Sequence, residues 1–273
     1  MTGGALSPPL RARLAGGSWS RWAKPLALAF VVLAVAMTIA GILWFDWLYW
    51  WTRDLDWYVD ATRRLLTEGT WYLDRQLHGP YELQGGDVLY PPVSAILFAP
   101  WLVLPGWSFI AIPVAITAWA VRRLRPAAWV WPLMALCLLS PQTLGKVMAA
   151  NPTLWAMAAV SLGTLYGWPA AFAVVKPTLV PFAVFGIRSR RWWLVIAGLA
   201  IASLPVLGLT LLYPQVVLDA RGGALYYSIW DLPLMLIPVI AWLGRSREPT
   251  PAETPAGTPP PAGTLPPAGS PDR

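Results

Sequence analysis

This chain has little with which to build a soluble enzyme core or a metal centre. Only 12% of its 273 residues are charged, about half the share found in a typical soluble domain. It has one cysteine, Cys137, and one histidine, His78. An internal disulfide, a multi-cysteine metal site and a site of paired histidines are therefore excluded. We interpret Cys137 as a small core residue and His78 as a solvated loop residue.

Apolar and aromatic residues are abundant instead. Hydrophobic residues make up 57% of the chain, its mean hydropathy is +0.53, and 19 residues are tryptophan, which favours the membrane–water interface. A formal net charge of +7 would suit nucleic acid or an anionic surface, but the basic residues occur in short clusters between apolar runs. We therefore predict an all-α polytopic membrane protein that contacts membrane lipids and binds no nucleic acid.

The first apolar run, Leu26–Trp44, is long enough to cross a bilayer of about 30 Å. A cleaved signal peptide is the alternative, but the apolar stretch exceeds a usual signal-peptide core. Because four basic residues precede the run, we predict an uncleaved helix with a cytoplasmic N-terminus. The further apolar segments are Val93–Leu104, Trp107–Val121, Ala127–Leu139, Pro152–Tyr166, Trp168–Ile187, Trp192–Tyr213 and Asp231–Leu243.

The basic clusters predict which side of the membrane each connection faces. The positive-inside rule requires a cytoplasmic position for three clusters, which are Arg122/Arg123/Arg125, Arg188/Arg190/Arg191 and Arg245/Arg247. This requires Val93–Leu104 to lie along the outer surface, and Trp168–Ile187 to form a broken-helix hairpin with its tip, at Lys176-Pro177, pointing outward. The arrangement predicts about eight passes of the plasma membrane with both termini cytoplasmic.

Two domains follow from composition. Residues 1–247 form the predicted membrane domain, with an acidic outer loop at about 50–106. Residues 248–273 are rich in Pro, Ala, Gly and Thr, a composition that buries too little apolar surface to fold. We predict a disordered cytoplasmic tail that serves as a spacer, with a proline-motif ligand as the alternative.

The acidic outer loop is the first candidate site. It carries seven of the chain's 13 acidic residues and begins with Asp54 and Asp56. Tyr58–Glu68 is predicted as an amphipathic helix that ends at Gly69. One of the two aspartates can act as a general base; alternatively, Asp56 is the N-cap of that helix. The Asp-x-Asp spacing would also suit a divalent cation.

Lys176 is the second candidate, because a lysine flanked by apolar residues at a proline-broken hairpin needs a partner or a wet cavity. A phosphate would serve as that partner; alternatively, the side chain reaches the interface on its own. Lys146 and Asn151 lie in a predicted outer loop, Ser140–Pro152, as substrate-binding or ordinary loop residues. Tyr90, before two prolines, binds substrate or only sets a rigid chain direction.

Several short motifs occur in one order along the chain. They are Asp56-Trp57-Tyr58-Val59-Asp60-Ala61, Gly69-Thr70-Trp71-Tyr72, Tyr90-Pro91-Pro92, Asn151-Pro152-Thr153-Leu154-Trp155, Lys176-Pro177 and Arg190-Arg191-Trp192-Trp193. Together they resemble the glycosyltransferases of family 87, polytopic enzymes of the GT-C fold that include mannosyltransferases using polyprenyl-phosphate mannose. Trp57 stands where the family usually has Phe, and Ala150 where it commonly has Gly.

The resemblance implies inverting transfer of a sugar, mannose by the family's example, from a polyprenyl-phosphate donor to a lipid or glycan acceptor on the outer membrane face. It implies Asp56 as general base, with Asp54 as its substitute, and Lys176 as the cation that stabilises the departing phosphate. Tyr58, Tyr90, Lys146 and Asn151 then bind substrate. No cofactor is expected, with a divalent cation as the alternative.

Two other functions fit the same features. A lipid-linked-sugar flippase or transporter would share the broken helices and the ionisable residues within the membrane, but it does not need a large acidic outer loop. A non-catalytic scaffold, such as a truncated family member, would not need Asp56 and Lys176 to meet in one cavity.

Overall fold

The computed structural model of the chain describes residues 19–44, 51–221 and 226–245 and is mostly helical. The α-helices are α1 (Trp19–Trp44), α2 (Arg53–Glu68), α3 (Asp74–Leu77), α4 (Ala95–Phe98), α5 (Trp107–Leu124), α6 (Trp131–Leu139), α7 (Pro141–Met148), α8 (Thr153–Tyr166), α9 (Arg190–Ser203), α10 (Leu207–Asp219) and α11 (Tyr226–Leu243). The 3₁₀ segments are Pro92–Ser94, Ala99–Leu102, Ala128–Val130, Trp168–Val175, Pro177–Gly186 and Leu204–Val206. Strands β1 (Tyr81–Glu82) and β2 (Ala220–Arg221) pair in parallel.

Three helical stretches of the described ranges are long and apolar enough to cross a membrane: Arg21–Ala40, Trp107–Leu124 and Arg190–Asp219. The other apolar helices have 10–17 residues, so the number of about eight passes stays a prediction. The predicted disordered tail, 248–273, lies outside the described residues.

Helix α8 lies at the centre of the helical packing. It contacts α5, α11 and both 3₁₀ segments that follow it, and most of its residues are buried. Small residues on α8 let these neighbours approach closely. A Cβ added to Gly163, for example, would lie 2.6 Å from the Cβ of Ala170.

The predicted broken-helix hairpin is present. Its arms, Trp168–Val175 and Pro177–Gly186, pack on each other, and Lys176 lies between them in an extended conformation. Both arms are 3₁₀ rather than α-helical, an unusual state at this length. At the base of the hairpin, Gly167 (φ 76°) lies against Gly186, and a Cβ on Gly186 would collide with the Gly167 carbonyl oxygen.

The molecule has two chemically different ends. Pro126 pairs with Arg245 in an isolated β-bridge, and the rings of Phe185 and Trp242 lie 5.4 Å apart. The three basic clusters therefore meet at one end, which we call the basic end; Arg247 lies outside the described residues. Pairing of β1 with β2 places the acidic loop at the far end of α10, away from this basic end.

The start of α2 corrects a prediction from the sequence. The helix begins at Arg53 rather than Tyr58, so the alternative that made Asp56 its N-cap is wrong. The backbone N–H groups of Thr52 and Asp54 donate to the carbonyls of Met148 and Ala149, and these contacts anchor the helix start five residues earlier. The predicted end at Gly69 is confirmed (φ 72°).

The buried face of α2 rests on the segment before α5. Its buried residues recur at helical spacing, and they are Leu55, Tyr58, Ala61 and Thr62. The helix contacts α4 and Ala99–Leu102. Where the sequence predicted one interfacial helix, Val93–Leu104, the structure has three short helical pieces between Pro92 and Leu102. The pieces follow one another without a gap and form one short apolar helical stretch, Pro92–Leu102, with Pro100 in its last piece.

Candidate functional site

One group of buried and half-buried polar side chains stands out at the end of the molecule that carries the acidic loop. We call it the buried polar cluster. Its members are Asp54, Lys146, Asn151, Thr153, Lys176 and Asp231. They come from α2, α7, the turn before α8, the start of α8, the hairpin tip and α11. Residues almost 180 positions apart in the sequence therefore meet in one place.

Asp231 joins two lysines. Its side chain is fully buried, with Oδ1 lying 2.5 Å from Lys146 Nζ and Oδ2 lying 2.6 Å from Lys176 Nζ. The lysine side chains are themselves only 11% and 10% exposed. A buried charge is tolerated where it is paired and hydrogen-bonded. The three groups together carry one positive charge when all are ionised.

Thr153 connects this ion cluster to Asn151. Its hydroxyl accepts a hydrogen bond from Lys176 Nζ at 2.5 Å. The same oxygen lies 2.7 Å from Asn151 Oδ1 and 3.1 Å from Asp231 Oδ1. A hydroxyl carries one proton, so it donates to one of these two acceptors at a time. The backbone N–H of Thr153 also donates to Asn151 Oδ1, at 3.0 Å.

Asn151 in turn holds Asp54. Because its Oδ1 accepts from Thr153, its Nδ2 faces Asp54 and donates to Oδ2 at 2.5 Å. Burial raises the pKa of the Asp54 carboxyl, while this hydrogen bond and the positive charges of Lys146 and Lys176 act in the opposite direction. A carboxylate whose pKa is raised toward neutrality is suited to accept a proton.

Asp56 lies elsewhere. Two residues along an α-helix correspond to a rotation of about 200°, so Asp56 is on the opposite face of α2 from Asp54, and it is exposed. Its carboxylate accepts a hydrogen bond from Thr52 Oγ1, which lies 3.4 Å from Asp56 Oδ2. The structure therefore brings Asp54, and not Asp56, to the two lysines. This separation does not support a cation held jointly by the two aspartates.

The two predicted substrate-binding tyrosines are buried beside the cluster. Tyr58 stacks on Phe98 with ring centroids 4.7 Å apart, and it meets Tyr90 edge-on at 5.0 Å. The ammonium group of Lys176 lies 5.8 Å from the centre of the Tyr90 ring. Tyr90 thus contacts the buried polar cluster directly, whereas Tyr58 packs against the Tyr90 ring.

Lys176 and Tyr90 also line an apolar cavity of about 420 Å³. The cavity lies between the hairpin, α8 and the segment Pro92–Leu102. Aromatic side chains form much of its wall: Trp101, Trp155, Trp168 and Phe172. Its size is within the range of small-molecule sites, and such sites are mostly apolar with few polar groups. Lys176 is the one charged residue of the described lining, and this composition fits a ligand with a charged head and an apolar body.

Sequence reasoning named four members of the buried polar cluster and missed Asp231 and Thr153. Asp231 had a usable signal, because it is the only acidic residue in the apolar segment Asp231–Leu243, and such a carboxylate needs a partner. Thr153 had none, since a threonine at the start of a helix is common. Lys146, predicted in a loop, lies on α7 instead.

Among the described residues, no three His, Cys, Asp or Glu side chains form a group that could hold a metal ion. Comparisons with protein families, with curated proteins and with solved structures found no match. Function is therefore inferred from the geometry of the buried polar cluster and from the motifs quoted above.

Proposed function

We propose that this chain is a membrane glycosyltransferase. In this proposal it moves a sugar, mannose by its resemblance to family 87, from a polyprenyl-phosphate donor to a lipid or glycan acceptor at the outer face of the plasma membrane. One observation carries the proposal: a carboxylate, Asp54, and an ammonium, Lys176, belong to one hydrogen-bonded cluster, and Lys176 also lines an apolar cavity.

The cavity supports a lipid-linked donor. An isoprenoid chain is apolar, and the cavity of about 420 Å³ is walled by aromatic and aliphatic side chains. The donor's phosphate would meet Lys176, because lysine binds phosphate as a compact point charge. A nucleotide sugar, with its polar base and ribose, suits such a wall poorly.

Asp54 is the general base in this proposal. The acceptor hydroxyl attacks the anomeric carbon of the donor sugar and transfers its proton to the Asp54 carboxylate. The bond between the anomeric carbon and the phosphate oxygen breaks, and its electron pair stays on the polyprenyl phosphate. Attack from the side opposite the leaving group inverts the anomeric centre. Asp56, which the resemblance implied as base, is exposed on the other face of α2.

The cluster matches the charge movement of this reaction. One negative charge leaves Asp54 as it accepts the proton, and one appears on the phosphate. Asn151 and Thr153 lie between Asp54 and Lys176. Their hydrogen bonds fix the orientation of Asp54, which accepts the proton, and of Lys176, which meets the phosphate, before the reaction begins. Oriented groups of this kind stabilise developing charge without reorganising.

The two-ended distribution of charge supports the orientation in the membrane. The three basic clusters meet at one end, away from the acidic loop. By the positive-inside rule the basic end faces the cytoplasm. The acidic loop and Lys176 then face outward in a multi-pass arrangement.

Ala150 gives local support to the resemblance. It adopts φ 53°, in the left-handed region that glycine enters most easily. This is the position at which family 87 commonly has glycine. The turn that places Asn151 beside Asp54 therefore requires a left-handed backbone at position 150, which the family's glycine would adopt most easily.

A transfer assay tests the proposal. Membranes containing the full chain are incubated with radiolabelled polyprenyl-phosphate mannose or with a mannose nucleotide, and labelled lipid and glycan products are measured. We expect product from the lipid-linked donor only, with loss of product in Lys176→Met, partial recovery in Lys176→Arg and no change in Lys24→Met. Absence of product from wild type, with movement of intact donor across the bilayer, would contradict the proposal and favour the transporter.

A further inference from the structure

The chain uses lysine sparingly, yet two lysines share one carboxylate. Of its 20 basic residues only Lys24, Lys146 and Lys176 are lysine, and the others are arginine. The last two meet at Asp231, a fully buried residue. This concentration of lysine needs an explanation beyond pairing, because a single lysine would neutralise a single aspartate.

We propose that Asp231 is a positioning residue that holds Lys146 and Lys176 together as a two-ammonium receptor for the donor's phosphate. This inference rests on the proposed function, which by itself assigns the phosphate to Lys176 alone. It adds Lys146 as a second phosphate-binding residue and gives Asp231 the task of setting the positions of both ammonium groups.

The hydrogen-bonding capacity of the two lysines supports this assignment. Each ammonium has three N–H donors. Lys176 Nζ donates one hydrogen bond to Thr153, and both ammonium groups lie in ion-pair contact with the Asp231 carboxylate. Among the described contacts, both ammonium groups therefore keep donors for a further anion. Tyr90, beneath Lys176, closes one side of the group.

The charges give a second argument. Asp231 cancels one of its two lysines, so the three groups keep one positive charge. A polyprenyl phosphosugar is a phosphodiester with one negative charge. The local surplus of these three groups attracts it, while the Asp54 carboxylate, on the far side of Asn151 and Thr153, opposes this attraction from a greater distance. The departing polyprenyl phosphate carries more negative charge, and two ammonium groups stabilise it better than one.

Positioning also follows from the chain segments that Asp231 joins. Lys146 belongs to α7, Lys176 to the hairpin tip and Asp231 to α11. Two ammonium groups close together repel each other, and a shared carboxylate offsets that repulsion. Without Asp231 the two lysines would separate, and the receptor would lose its geometry.

The test measures phosphate-dependent binding rather than sugar transfer. The full chain in lipid nanodiscs is titrated with farnesyl phosphate and, in parallel, with farnesol, which has the same chain without the phosphate. We expect wild type to prefer farnesyl phosphate and Lys146→Met to lose about tenfold of that preference, because a hydrogen bond to a charged group is removed. Lys24→Met, the matched change at the remaining lysine, should have no effect. An unchanged preference in Lys146→Met would overturn the inference.

A double variant separates receptor geometry from net charge. Asp231→Asn with Lys146→Met leaves one lysine and no carboxylate, so the surplus of one positive charge equals that of wild type. The two-ammonium receptor predicts a preference for farnesyl phosphate at least about tenfold weaker than wild type. A preference equal to wild type would mean that net charge alone attracts the phosphate, and it would overturn the positioning role of Asp231.

These outcomes are distinct from those of the transfer assay. If the lysine variants lose phosphate preference but wild type transfers no sugar, the receptor stands and the glycosyltransferase proposal fails. If wild type transfers sugar while Lys146→Met and the double variant keep full phosphate preference, the glycosyltransferase proposal stands and the two-ammonium receptor fails.

Discussion

Two ion pairs in this molecule have the same length and opposite surroundings. On the outer face of α2, Arg63 and Asp60 lie 2.6 Å apart, and more than half of each side chain is exposed. Inside the buried polar cluster, Lys176 and Asp231 also lie 2.6 Å apart, with side-chain exposures of 10% and 0%. Exposed pairs of this kind contribute about 0–1 kcal/mol, whereas a buried charge that loses its partner is strongly destabilising.

The two faces of α2 differ in the same way, one exposed to solvent and one buried. Asp56 and Asp60 point to solvent, where water supports their charge. Asp54 points inward, where desolvation raises its pKa and specific partners hold it. Carboxylates close together in sequence thus differ in chemistry because the helix turns them into different environments. The inner face is where a proton acceptor is expected.

The largest effect should come from breaking the inner pair. Asp231→Asn leaves two buried ammonium groups without their anion, and we expect it to lower the free energy of unfolding by about 3–5 kcal/mol. Asp60→Asn, the same change on the exposed pair, should cost less than about 1 kcal/mol. Thermal or denaturant unfolding in detergent measures both. Equal losses would show that burial does not distinguish the two pairs.

An intermediate effect is expected at the basic end, where backbone packing rather than charge pairing is critical. Gly186→Ala would drive a methyl group into the Gly167 carbonyl, and we expect it to cost about 1–3 kcal/mol. Gly198→Ala is the matched control, because a Cβ there meets open space within helix α9, and it should stabilise by up to about 1 kcal/mol. The same unfolding measurement checks both, and a tolerated Gly186→Ala would contradict the close approach.

The smallest expected change concerns pH. Transfer requires Asp54 to be deprotonated, so activity should be lost as pH falls through the Asp54 pKa, which burial raises above its ordinary value. The Asn151 hydrogen bond lowers this pKa, and Asn151→Ala should therefore move the acid limb of kcat/KM to higher pH. Asp56→Asn should leave the limb in place. An acid limb that does not move in Asn151→Ala would show that the protonation of Asp54 does not set the rate of transfer.

Much of the architecture was predictable from local sequence. Apolar runs predicted a mostly helical structure with helices long and apolar enough to cross a membrane, Lys176-Pro177 predicted the break in the hairpin, and Gly69 predicted the end of α2. Basic clusters predicted which connections share an end. Each of these features depends on composition or on the backbone preference of one or two residues.

The candidate site was predictable only in part, because its arrangement depends on contacts distant in sequence. Which aspartate faces inward depends on where α2 begins, and the carbonyls of Met148 and Ala149 fix that point. Asp231 meets Lys146 and Lys176 only through the packing of three separate segments. Residue types therefore indicated the members of the site, and tertiary structure selected among them.

Replacing the two aspartates of α2 one at a time distinguishes Asp54 from Asp56 as the general base. In the transfer assay, Asp54→Asn should reduce kcat/KM by about 10²–10⁴-fold, and Asp56→Asn should stay within about threefold of wild type. Both proteins should unfold near the wild-type temperature, because Asn at position 54 keeps an oxygen that can accept from Asn151 Nδ2, and Asp56 is exposed. A large loss in Asp56→Asn with near-normal transfer by Asp54→Asn would show that Asp54 is not the general base.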